Sequence, residues 1–227
     1  VPAGDGNGFT WRSFAYFAVN KLFRFLAMNK SHDIYLASAS PRRRELLEQI
    51  GVRYALLRLE VPEVRDPAES PEEYVLRVAL AKARAGHALL EAGDMTPVLG
   101  ADTEVVCDGE VLGKPQGRDE AIAMLHRLAG REHLVLSAVA VVRGEEEQSR
   151  LSVNHVRFRP LGDDEVLAYW HTGEPADKAG GYAIQGRAAT FIERLEGSYS
   201  GVMGLPLYET AQLLECFGIT VLGGYGE

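Results

Sequence analysis

Twice in this chain a serine followed by a proline precedes a helical pattern, at Ser40-Pro41 and at Ser70-Pro71. Serine suits the position just before a helix, and proline suits the first helical position, where its missing N–H costs nothing. The first signal follows the short apolar run Ile34 to Ala37 and opens a helix through Leu46, Leu47 and Ile50 to a terminating Gly51. Tyr54 to Leu59 then reads as a strand. The second signal opens a long helix through Tyr74, Val75, Val78, Ala79 and Ala83 towards Leu90. Val98 to Cys107 is a strand, Asp108-Gly109 marks a tight hairpin, and Glu110 to Leu112 is the return strand. Asp119 to Leu128 fits a helix ended by Gly130. His133 to Arg143 and Ser149 to Arg159 pair across a polar Gly144–Gln148 turn. Asp163 to His171 is a short helix, a Gly-rich stretch begins near Glu174, Ala188 to Leu195 is a strand, and Leu207 to Phe217 closes the chain as a helix. Helices interleaved with strands and hairpins predict an α/β fold with a mixed central β-sheet flanked by helices.

Composition limits the function classes. The 227 residues suffice for one large domain or two small ones, and no composition break marks a linker. A formal charge of −8 argues against a nucleic-acid polymer as partner, because phosphate backbones select for basic surfaces. The two cysteines, Cys107 and Cys216, lie far apart. They exclude a disulfide scaffold or a cysteine zinc site and fit a reducing compartment, the cytoplasm. Residues 1–28 differ from the rest. Trp11 to Met28 is aromatic and amphipathic but is interrupted by Arg12, Lys21 and Arg24, so it has no uninterrupted membrane span. It is either a surface-binding helix or an extension ahead of a natural start at Met28. The second reading is preferred, which leaves residues 1–27 outside the fold and 28–227 as its domain.

Several patterns carry chemistry. Ser38-Ala39-Ser40-Pro41-Arg42-Arg43-Arg44 lies between a strand and a helix start, where free N–H groups and the helix dipole attract anions. Three arginines there oppose the dipole, so the segment is either a phosphate cradle or a solvated basic turn. In Gly100-Ala101-Asp102-Thr103-Glu104, Asp102 is an acid inside an apolar strand, suited to binding a hard cation or to taking a proton from water. Alternation lets Glu104 face solvent from an edge strand. Lys114, between Gly113 and Pro115, could reach a phosphate from a loop. Taken alone, Lys82 reads as a snorkelling surface lysine and Glu63 as a loop acid. Gln185, in the Gly-rich block from Asp177 to Gly186, offers a donor and an acceptor fit to read a base edge.

Together these segments resemble the Maf family of nucleoside triphosphate pyrophosphatases, from about Ile34 to Ile219. Leu36-Ala37-Ser38-Ala39-Ser40-Pro41-Arg42-Arg43 looks like the family's opening signature, and Gly100-Ala101-Asp102-Thr103 like its central acidic motif. Lys114-Pro115, Glu63, Lys82, Gln185 and Gly204-Leu205-Pro206 fall where the family has matching positions. Pro62 stands where many members have another acid. The resemblance implies an elongated α/β fold with two lobes around a cleft. It also implies hydrolysis between the α and β phosphates with a divalent cation, Mg²⁺ or Mn²⁺. Asp102, Lys82 and Lys114 would be catalytic. Ser38, Ser40, Arg42, Arg43, Thr103 and Gln185 would bind substrate, and Glu63 with Asp102 would hold the metal. Asp102 is a general base or a metal ligand; residue type does not separate the two. The block from Glu174 to Gly186 looks like the branch acting on dTTP and UTP, with modified pyrimidine nucleotides as further candidates. The competing readings are a non-catalytic nucleotide-binding regulator of cell division and a pyrophosphatase for 7-methyl-GTP or another purine nucleotide. A homodimer is expected by resemblance alone.

Overall fold

A computed structural model describes residues 31–222, so the extension expected over residues 1–27 lies outside the described residues. Strand β1 (Ile34–Ala37) leads into helix α1 (Pro41–Gln49), and β2 (Tyr54–Leu56) into α2 (Pro71–His87). The hairpin of β3 (Val98–Cys107) and β4 (Glu110–Leu112) precedes α3 (Arg118–Leu128). A second, longer hairpin joins β5 (Glu132–Arg143) to β6 (Glu146–Phe158), followed by α4 (Asp163–Trp170). Three short 3₁₀ turns lead to β7 (Ile192–Glu196), α5 (Tyr199–Met203) and α6 (Leu207–Cys216).

The seven strands form one mixed sheet in the order β2-β1-β3-β5-β6-β7, with β4 also on β3. β2 and β3 run parallel to β1 on its two sides, which makes the β1/β3 boundary a point where the connections diverge. Such points in α/β sheets open crevices beyond the strand ends. Here β1 pairs with β3 only as far as Gly100, and β4 takes up that edge at Val105. Among the described residues no strand covers Ala101–Glu104 on this side, and the cleft opens there.

Both faces of β3 are covered. α2 packs on one face through Val75, Ala79 and Ala83, against Leu136, Ala138 and Ala140 of β5. Gly100 permits this approach: a Cβ there would collide with Ala79 O and Ala83 N. On the other side, Leu46, Leu47, Leu213, Leu214 and Phe217 cover Ile34, Leu36 and Leu99. Further along the sheet, Phe158 meets His133, Tyr182 and Phe191 edge-on.

Several expected boundaries shift for identifiable reasons. The hairpin turn is Gly144-Glu145, not Gly144–Gln148. The polar residues 146–148 stay in the ladder because their backbone still pairs, with Arg143 on Glu146 and Arg84 on Glu147. The strand expected from Ala188 begins at Ile192. Ala188 and Phe191, three residues apart, instead enter the core from one face of a 3₁₀ turn over Arg187–Phe191. Ser70 forms a full capping box with Glu73, its Oγ accepting from the Glu73 N–H at 3.2 Å. Ser40 stands at the cap position of α1 without a side-chain cap bond.

Candidate active site

One cavity of about 850 Å³ is lined by all the residues to which the sequence assigns a catalytic, substrate or metal role; of the three arginines at the helix start, Arg44 stays outside it. Ser38, Ser40, Arg42 and Arg43 come from the β1–α1 turn, and Glu63 from the loop before α2. Lys82 comes from α2, Asp102 and Thr103 from the uncovered stretch of β3, Lys114 from the loop after β4, and Gln185 from the Gly-rich block.

Residues 102 and 104 share one face of β3, while 103 faces the opposite way. On the first face, Lys82 Nζ donates to Asp102 Oδ1 at 2.8 Å and lies 2.6 Å from Glu63 Oε1. Lys82 is therefore not a snorkelling surface lysine: its side chain is only 13% exposed and links two carboxylates. Burial works against the Glu63 charge, but the hydrogen bond and charge of Lys82 carry its pKa below the usual carboxylate range. Tyr74 Oη donates to the Glu63 carbonyl at 3.0 Å and steadies the loop. Burial, with the nearby acids, pushes the Tyr74 hydroxyl up to about 12.

Glu104 departs from its expected place. The stretch of β3 that carries it has no strand on one side, but that gap lines the cavity, so Glu104 turns into the cavity rather than to bulk solvent. Burial first, then the charges of Asp102 and Glu63, push its carboxyl up to about 8. The available sequence signal was its i, i+2 relation to Asp102.

On the opposite face Arg43 is buried and each of its three guanidinium nitrogens donates a hydrogen bond. Its Nε donates to Gly204 O at 2.8 Å, Nη1 to Ser38 Oγ at 3.1 Å and Nη2 to Thr103 Oγ1 at 3.3 Å. Burial pulls its pKa down from the ordinary guanidinium value, with Asp102 acting in the other direction. Arg43 thus ties together the β1–α1 turn, β3 and the α5–α6 turn. Thr103 also meets Ser137 at 3.0 Å, and Ser137 donates to Gly201 O at 2.6 Å, a contact that no local pattern indicated. Arg42 donates to Met203 O at 3.3 Å and is half-buried at the cavity wall. Lys114 and Gln185 are exposed on that wall.

Among the described residues no three His, Cys, Asp or Glu side chains group as a ready metal cage. Even so, Asp102 Oδ2 and Glu104 Oε2 are buried without hydrogen-bond partners. Two unpartnered carboxylate oxygens suit a hard cation, since Mg²⁺ commonly takes one or two carboxylates and completes its shell with phosphate and water. The residues present fit a divalent cation.

A sheet crevice beside a helix start, with lysines, a half-buried arginine and a carboxylate cluster, defines an α/β protein built to handle a phosphorylated small molecule. The chain belongs to the Maf-like protein family, whose model matches residues 33–217. A dTTP/UTP pyrophosphatase of Alkalilimnicola ehrlichii is 60% identical over 189 residues, covering 82% of this chain and 93% of the relative. Relatives of the same name from Aromatoleum aromaticum and Xanthomonas axonopodis pv. citri are 55% and 56% identical. Each covers 82% of this chain, with 95% and 98% of its own length matched.

Proposed function

We propose that this chain hydrolyses dTTP and UTP between the α and β phosphates, releasing the nucleoside monophosphate and pyrophosphate. One observation carries the reading: Lys82 holds Asp102 by one carboxylate oxygen and leaves the other, Oδ2, without a partner in a cavity walled by cationic side chains. The names of the relatives at 55–60% identity support the nucleotide class.

In this reading Oδ2 of Asp102 accepts a proton from the attacking water, while Lys82 holds the carboxylate in orientation through Oδ1. Arg42, Lys82 and Lys114 neutralise charge that grows on the departing pyrophosphate. Ser38 and Ser40 hydrogen-bond phosphate oxygens, and Arg43 acts through Ser38 and Thr103 by holding them in place. Gln185 reads the pyrimidine edge with one donor and one acceptor. A divalent cation, held by carboxylates around Asp102, supplies further charge neutralisation on the triphosphate when bound. The proposal takes residues 28–227 as the catalytic domain, with two lobes about the cleft. It places the protein in the cytoplasm as a homodimer on the family resemblance. Among the described residues no helix is long and apolar enough to cross a membrane.

The test is pyrophosphate release from dTTP, UTP, CTP, GTP, 7-methyl-GTP and ITP, each with and without Mg²⁺. Metal-dependent release from dTTP and UTP, with little from the purines, is expected. Tight nucleotide binding without release from any of them would instead make the chain a nucleotide-binding regulator.

A further inference from the structure

We propose that Glu104 and Asp102 together form the protein's part of the cation site in this cleft, and that Glu63 serves Lys82 instead. The proposal deepens the triphosphate reading and rests on it. The Asp102 side chain is 8% exposed, lines the cavity, and has Oδ2 without a partner. Glu104 lies two residues along the same strand, on the same face, and its Oε2 is equally buried and unpartnered. Like charges packed this closely repel, and a buried carboxylate oxygen without a donor loses its hydration for nothing. Lys82 does not relieve this, because its ammonium is bonded to Asp102 Oδ1 and Glu63 Oε1.

Glu63 is in the opposite situation. Its side chain is 45% exposed and already faces a cation at 2.6 Å. A second cation there would have to displace Lys82. A divalent ion between Asp102 Oδ2 and Glu104 Oε2 satisfies two orphaned oxygens and breaks no existing bond. Each carboxylate oxygen has two lone pairs, so Oδ2 still accepts a water proton. Two carboxylates with phosphate and water completing the shell make an ordinary Mg²⁺ environment.

The test is Mn²⁺ binding to the full chain without nucleotide, followed by the electron paramagnetic resonance of free Mn²⁺. Wild type, Glu104→Gln and Glu63→Gln are compared. Glu104→Gln is nearly isosteric and replaces a carboxyl whose charge the burial disfavours, so its melting temperature is expected not to fall. The expected result is a loss of Mn²⁺ affinity of about tenfold or more in Glu104→Gln, and less than about threefold in Glu63→Gln, as follows from losing a ligand against losing a neighbour. Wild-type affinity in Glu104→Gln, a larger loss in Glu63→Gln, or no Mn²⁺ bound by wild type would each overturn the assignment. Wild-type turnover of dTTP, measured separately, distinguishes the two failures. Turnover with unchanged Mn²⁺ binding in Glu104→Gln defeats only the cation site. The expected Mn²⁺ pattern without pyrophosphate release from any nucleotide defeats only the functional reading.

Discussion

The two faces of β3 at the cleft share a strand and a cavity, yet their polar groups are finished in different ways. Around Thr103, Arg43 donates to Gly204, Ser38 and Thr103, and Ser137 closes the set against Gly201. Around Asp102, Lys82 pairs with Asp102 and Glu63, and one oxygen each of Asp102 and Glu104 is left over. A completed buried network fixes backbone elements relative to one another. An incomplete one costs stability and is kept where a ligand completes it. The Thr103 face therefore serves as the frame, and the Asp102 face is where the proposed hydrolysis places its chemistry.

The largest expected effect falls on the frame. Arg43→Met removes three hydrogen bonds, to Gly204 O, Ser38 Oγ and Thr103 Oγ1, leaves Gly204 O only the bond from Thr103 Oγ1, and should cost about 3–4 kcal/mol in urea unfolding. A loss below about 1 kcal/mol would mean that the network is not the frame.

Apart from that network, His133 is buried with its Nε2 2.8 Å from the Tyr182 hydroxyl, beside the Gln185 segment. Burial pushes its imidazole pKa down to about 4 from 6.5. Above pH 6.5 the ring is neutral in both states and its contribution is complete. As pH falls from 6.5 towards 4 the unfolded chain takes up a proton that the folded chain refuses. Stability should then drop by about 3 kcal/mol across that window and level off below it. Unfolding free energies measured against pH should lose this step in His133→Gln; an unchanged slope would mean that another group sets the acid limit of stability.

The chemical face should show the reverse pattern. Asp102→Asn keeps shape and burial, so turnover should fall about 100-fold or more, roughly 2.7 kcal/mol of barrier, while the melting temperature stays within about 3 °C. Near-normal turnover would move the catalytic role elsewhere on the wall. Gln185→Ala carries the smallest effect. The ratio of kcat/KM for dTTP over GTP should fall about tenfold, as expected for one lost hydrogen-bonding side chain. An unchanged ratio would place base selection elsewhere.

What the sequence made legible follows the same division. The β3–β4 hairpin was readable to the residue because Asp108-Gly109 supplies the positive φ values, 53° and 78°, that a tight hairpin turn needs. The gathering of Ser38, Arg42, Lys82, Asp102, Lys114 and Gln185 was readable from motif order. Glu104 was not, because alternation alone does not tell an edge open to bulk solvent from one that lines a cleft. The engagement of Arg43 was hidden too, since its partners Gly204 and Thr103 lie 161 and 60 residues away. The five-residue helix Tyr199–Met203 carries too short a pattern to read, although its Gly201 carbonyl anchors the frame.

The most direct test is a pair of ³¹P NMR spectra of dTTP with Mg²⁺, one after incubation with wild type and one with Asp102→Asn. Signals of dTMP and pyrophosphate from wild type, with intact triphosphate from the folded variant, are the result predicted here. Signals of dTDP and inorganic phosphate, or the same products formed at the same rate by both proteins, would contradict it.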